Sequence, residues 1–304
     1  MPGTAVIAFE FDPFVRIAGT ELRLETLVTG AGILVALLLA ARIAGRTAAD
    51  TAVGSTAGAP SGPGPLRRDD LLFIVLGIVP GAVLGARAGY GLLHVDYYSS
   101  HVGALLDPSS GSLEAGLGIV GGAISGAYVA RLLEAPVQRW LDASALPLLV
   151  ALGVGKIAQA FGGSGQGAPS DGPWATAYLG PGPWGSLAPA LPAEPAQLYE
   201  AAATAVVALA ILTLLASRRL APGSGRVFLT TLGSWAVARA VVAATWRDEV
   251  VVAGLRAGQL LAAGIAIGCA IGLVLLARRR AHAAGAAADR TNLSWPDPEQ
   301  PPLV

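Results

Sequence analysis

Seven apolar runs, each about twenty residues long, leave this chain few folds to choose from. They lie near residues 26–44, 71–93, 113–133, 143–161, 196–216, 227–246 and 255–277. In hydrocarbon every backbone N–H and C=O must bond within the protein, so runs of this length become helices. The composition agrees. The chain is 54% hydrophobic and only 13% charged, where soluble domains carry about a quarter charged residues. The expected fold is an all-α membrane protein with seven transmembrane helices. Residues 1–25 read as an extracytoplasmic or interfacial lead-in and 26–277 as the transmembrane domain. Within it, residues 162–193 form a small polar head holding Trp174, Tyr178 and Trp184. Residues 45–69 read as a flexible loop and 278–304 as a disordered tail.

Charge is distributed by location. The loops after spans one, three and five hold Arg42, Arg46, Arg67, Arg68, Arg131, Arg139, Arg218, Arg219 and Arg226, and the tail adds Arg278, Arg279, Arg280 and Arg290. The opposite side holds only Arg16, Arg23, Arg247 and Arg256. Cytoplasmic loops collect positive charge, so the N-terminus and the 162–193 head are expected outside and the C-terminus in the cytoplasm. That is the topology of a multi-pass membrane protein. A net charge of zero argues against a nucleic-acid partner. The single cysteine, Cys269, allows no intrachain disulfide, and three scattered histidines (His94, His101 and His282) make no metal site. The N-terminus lacks the pattern of a signal peptide.

Three cations fall within spans: Arg87, Arg239 and Lys156, the only lysine. Intramembrane charge is costly and marks function by default. Arg87 and Lys156 either snorkel to the interface or, with Arg239, line one outward-opening cavity for an anionic headgroup. Arg239 lies too deep to snorkel, and its alternative is a buried pair with Glu200. Lys156 also opens a glycine-rich stretch, Gly155-Lys156-Ile157-Ala158-Gln159-Ala160-Phe161-Gly162-Gly163-Ser164-Gly165-Gln166-Gly167-Ala168-Pro169.

That stretch resembles the signature G-R-x-G-N-F-x-N-x-E-x-x-G-x-P of bacterial prolipoprotein diacylglyceryl transferases. Gly85-Ala86-Arg87-Ala88-Gly89-Tyr90 resembles the family's G-[GA]-R-x-G-Y. Residues 116–122, with Gly121-Gly122, resemble its G-x-S-[FI]-H-G-G. Pro195-Ala196-Gln197-Leu198-Tyr199-Glu200 resembles H-P-[ST]-Q-L-Y-E, and Gly258-Gln259-Leu260 resembles the M-G-Q-x-L of the last span. Five motifs in order, over roughly residues 20–278, identify the chain as a member of that family.

The resemblance implies transfer of a diacylglyceryl group from phosphatidylglycerol to the lipobox cysteine thiol of a lipoprotein precursor in the membrane, with no metal or cofactor. It implies Lys156 and Arg239 as catalytic residues. It implies Arg87, Tyr90, Gly121, Gly122, Gln159, Ser164, Gly167, Gln197, Tyr199 and Glu200 as substrate-binding residues. The sequence departs from the pattern at the chemistry. Val120 stands for the H-G-G histidine, Lys156 for an arginine, Gln159 and Gly162 for two asparagines, and Ser164 for a glutamate. Ala243 stands for the glutamate one turn after Arg239, Glu194 for a histidine, and about Glu25 for a tyrosine. Two readings stay open: a diverged transferase, with His94 or His101 as a candidate base, and an inactive relative that binds phospholipid or a membrane partner. No internal repeat supports a transporter.

Overall fold

The computed structural model describes residues 7–17, 19–54, 67–105 and 113–293. Its helices are α1 (Leu24–Gly54), α2 (Arg68–Leu93), the short α3 (Val95–Ser100), α4 (Ala115–Leu132), α5 (Val137–Gly162), α6 (Ala196–Ala216), α7 (Arg226–Val242) and α8 (Ala257–Leu293). Among the described residues seven of these are long and apolar enough to cross a membrane. Many of their large side chains, among them Leu38, Leu84, Val206 and Val241, are exposed, as lipid-facing positions are.

The helices pack in pairs: α2 on α4, α1 on α5 and α7 on α8, with α6 bridging α5 and α7. Glycines set the closest approach. A Cβ built on Gly121 of α4 collides with the Gly81 carbonyl of α2, and one on Gly85 with the Leu117 carbonyl. Only hydrogen fits between these backbones, the small-residue packing that dispersion favours in lipid. The main core cluster gathers Leu149, Ile211, Leu232 and Trp235 from α5, α6 and α7. Two apolar cavities remain between pairs. One, of about 600 Å³, separates α1 and α5 from α2 and α4 and includes Glu114 in its lining. The other, of about 820 Å³, lies between α4 and the α7–α8 pair and includes Val120.

All six short strands lie at one end of the bundle. β1 (Ile7–Phe9) pairs in parallel with β4 (Thr176–Tyr178), Ile7 opposite Thr176. β2 (Phe14–Ile17) and β3 (Thr20–Arg23) form one hairpin, β5 (Val250–Val252) and β6 (Leu255–Arg256) another. Trp184 meets Phe11 edge-on and Tyr178 at a tilt, with ring centroids 5.3 and 4.9 Å apart. Phe161, at the end of α5, meets Phe11 at 6.0 Å.

Several boundaries differ from the sequence reading. The segment before span one is strand, tied into the head through β4. α1 continues through residue 54, while 55–66 lie outside the described residues. The tail expected to lack structure from 278 is helical to Leu293, because its Ala- and Arg-rich composition favours helix; 294–304 lie outside the described residues. α5 starts earlier than expected, at Val137, where Gln138, Arg139 and Asp142 mask the apolar run.

Candidate functional site

Four spans place ionised side chains together at the head end. Glu114 precedes α4 and Glu200 lies in the second turn of α6, so both carboxylates sit near helix N-termini. Arg239 lies in the last turn of α7, and Lys156 lies two turns from the end of α5. Each charge has the sign that its helix dipole favours.

Arg239 Nη1 donates to Glu200 Oε1, and its Nη2 to Glu114 Oε1 at 3.2 Å. Lys156 Nζ lies 2.6 Å from Glu200 Oε2 and donates to Gln159 Oε1 at 3.1 Å. Glu114 also accepts the backbone N–H groups of Gly116 and Leu117, both at 2.7 Å. The guanidinium lies over Trp246 at 4.6 Å and near Trp235 at 5.3 Å. Glu114, Glu200 and Arg239 are buried, whereas the Lys156 side chain keeps 19% exposure. The four charges sum to zero. Because two carboxylates already hold Arg239, Lys156 is the cation with a face left for a ligand.

The remaining expected residues spread around this centre. Arg87 donates to the Ala104 carbonyl at 3.1 Å, reaching the turn after α3. The Tyr90 ring lies 4.2 Å from that of His94, at a tilt. Gly121 and Gly122 face α2, as helix-packing residues do. Gln197 Nε2 donates to the Tyr178 hydroxyl at 3.0 Å. Burial, and to a lesser degree the Glu25 carboxylate, push that hydroxyl up to about 12 against the pull of Gln197. Tyr199 donates to Glu194 Oε2 at 2.7 Å, and Ser170 to Glu194 Oε1 at 2.6 Å. Gly167 donates to the Glu194 carbonyl, and its own carbonyl accepts Arg247 Nε at 2.6 Å. Ser164 donates to Glu25 Oε1 at 3.0 Å. Gln259 accepts the Arg256 N–H and donates to the Ala240 carbonyl, joining α8 to α7.

None of Arg87, Lys156 and Arg239 lines either apolar cavity. Lys156 and Arg239 are joined through Glu200. The exposed His94 and His101 rings bond Tyr90 O, Tyr97 O and Ser100 Oγ, not the cluster. Sequence reasoning passed over Glu114, Trp235 and Trp246. For Glu114 a signal existed: a lone acid immediately before an apolar run, where a helix N-cap belongs.

Residues 13–277 match the family pattern of prolipoprotein diacylglyceryl transferase. The chain belongs to that family. It is 32% identical to a phosphatidylglycerol–prolipoprotein diacylglyceryl transferase of Geobacter sulfurreducens over 180 residues, 58% of this chain and 65% of that one. It is 31% identical to one of Rhodospirillum centenum over 230 residues, 71% of this chain and 78% of the relative. A Symbiobacterium thermophilum relative is 31% identical over 205 residues, covering 66% and 73%. The Geobacter match spans slightly under two thirds of that relative.

For a member of the diacylglyceryl transferase family, the departures acquire an address. Val120, where the resemblance puts a histidine, packs against the main core cluster and lines the second apolar cavity. Ala243 is fully buried beyond α7. Lys156 and Gln159 keep the cationic and amide chemistry of their motif and bond each other.

Proposed function

We propose that this chain transfers the diacylglyceryl group of phosphatidylglycerol to the lipobox cysteine thiol of a lipoprotein precursor. Its seven spans lie in the cytoplasmic membrane of a bacterium, with the head outside and the C-terminus within. The observation that carries the reading is Lys156: a partly exposed cation two turns from the head end of α5, on the signature stretch of the family. In this reading the donor's phosphodiester takes Lys156 from Glu200. Glu200 is not stranded, because Arg239 still holds it. A phosphodiester brings one negative charge to a neutral cluster. Arg87, next to the Ala86 carbonyl that accepts the Glu114 N–H, is a further cation of the family motif near this site. These cations offset the charge that develops on the leaving phosphate. Tyr90, Gln159, Gln197 and Tyr199 border the headgroup and the incoming peptide.

Two observations favour a second reading, a relative that binds phospholipid without transferring it: the cluster is already neutral, and Val120 cannot accept a proton. The deciding experiment follows labelled diacylglycerol from phosphatidylglycerol vesicles to a lipobox-cysteine peptide. Transfer by the wild-type chain that disappears in Lys156→Ala supports the enzyme. Lipid binding that weakens in Lys156→Ala, with no transfer by the wild type, supports the second reading.

A further inference from the structure

Three departures from the family pattern meet at one point. Glu25 stands in the first turn of α1 close to where the pattern has a tyrosine, Gly162 where it has an asparagine, and Ser164 where it has a glutamate. Ser164 Oγ donates to Glu25 Oε1 at 3.0 Å across 139 residues of sequence. Gly162 is buried, and a Cβ built on it collides with the Glu25 carboxylate. An asparagine cannot stand at 162 while Glu25 holds this position. The three changes are therefore one rearrangement. The carboxylate missing from the loop after α5 is supplied from α1, and the loop side has been cut back to admit it.

Three other carboxylates at this end are engaged by side chains. Glu114 and Glu200 are ion-paired, and both oxygens of Glu194 accept hydroxyls. Glu25 keeps 27% side-chain exposure. The charged or titratable groups around it are Arg23, whose Nη2 is 3.6 Å from Oε2, and Tyr178 on β4. Through Ser164, which also reaches the Gln159 carbonyl, it adjoins the stretch that carries Lys156.

We propose that Glu25 is the base that accepts the acceptor thiol's proton in this chain, a role that rests on the transfer reading above. The S–H proton passes to the Glu25 carboxylate while a sulfur electron pair forms a bond to the terminal glyceryl carbon. The bond from that carbon to the phosphate oxygen breaks, and its pair stays on the oxygen. Glycerol 1-phosphate leaves, and the proton passes from Glu25 to water. Nothing is oxidised or reduced.

The test compares the purified full chain with Glu25→Gln in phosphatidylglycerol vesicles, from pH 6 to 9.5, with the lipobox-cysteine peptide as acceptor. Removing a general base costs about 100-fold or more in transfer at pH 7. The deficit shrinks above pH ~8.5, where the free thiol ionises unaided. Glu25→Gln combined with Ser164→Glu returns a carboxylate to the loop and recovers about tenfold of the loss. Should Glu25→Gln fail to fold, Glu25→Asp takes its place in the same pH comparison. A deficit below about threefold, or one equal at every pH with no recovery in the double variant, overturns the proposal while leaving the transfer reading intact. A wild-type chain that transfers nothing overturns both.

Discussion

Two buried carboxylate sites, one at each end of the bundle, solve the same problem by different means. At the head end, Glu200 and Glu114 are neutralised by the side chains of Lys156 and Arg239. At the far end, Asp142 of α5 is neutralised by backbone alone. Its Oδ2 accepts the N–H groups of Gly223, Ser224 and Gly225 at 2.7–3.0 Å, and its Oδ1 accepts that of Phe228 at 3.0 Å. Asp142 thus caps the N-terminus of α7 from a neighbouring helix. Backbone donors cannot leave, so this site is a fixed clamp. A lysine with an exposed face can exchange one anion for another. The contrast separates a structural use of a buried acid from one suited to binding.

Arg239→Ala attacks the head-end site most directly, because it removes the partner that two buried carboxylates share, leaving Glu200 with Lys156 and Glu114 with backbone donors. Breaking one such pair costs about 3–5 kcal/mol, so thermal unfolding in detergent is expected to drop sharply, with little folded protein at 37 °C. Asp142→Ala comes next. Four donors lose their acceptor, but those of Gly223 and Ser224 are only part-buried and reach water. The expected loss is about 3 kcal/mol, and the surviving folded fraction should bind phosphatidylglycerol as before. A binding defect as large as that of Lys156→Ala would erase the distinction between the two ends.

Lys156→Ala should reverse that pattern. Glu200 keeps Arg239, so the stability loss is about 1–2 kcal/mol, while vesicle binding and transfer fall by at least about tenfold. The smallest effect concerns the head. Tyr178 ionises near 10 when unfolded and at about 12 when folded. Between those values the unfolded chain binds fewer protons, so stability falls as pH rises through this window and is unaffected below it. Tyr178→Phe should make that alkaline slope shallower, readable as unfolding temperature against pH.

Much of the fold was legible in the sequence because lipid leaves so little choice. Once a run of about twenty apolar residues must satisfy its own backbone, helix is the outcome, and all seven runs are helices. The strands of the first twenty-three residues were not legible. β1 and β2 are short, and β1 finds its partner only at Thr176–Tyr178, so no local pattern announces it. The tail misled for the opposite reason. Loss of hydropathy after 277 marks the end of lipid, not the end of a helix built from Ala and Arg.

At the candidate site, residue chemistry pointed to Lys156, Arg239 and Glu200, since charges inside apolar runs stand out at once. The sequence left open whether Arg239 meets Glu200 or lipid, and packing resolved that toward a pair. Glu114 joins the same guanidinium from 125 residues away. Departures that read as separate losses at 25, 162 and 164 form one contact in space. The sequence by itself determined that the chain has seven runs long and apolar enough to cross a membrane, which family it belongs to, and which polar residues are out of place there. Only the tertiary structure decided which of those residues touch. Helix formation is set by neighbours along the chain, whereas ion pairing is set by the crossing of helices whose contacts span a hundred residues or more.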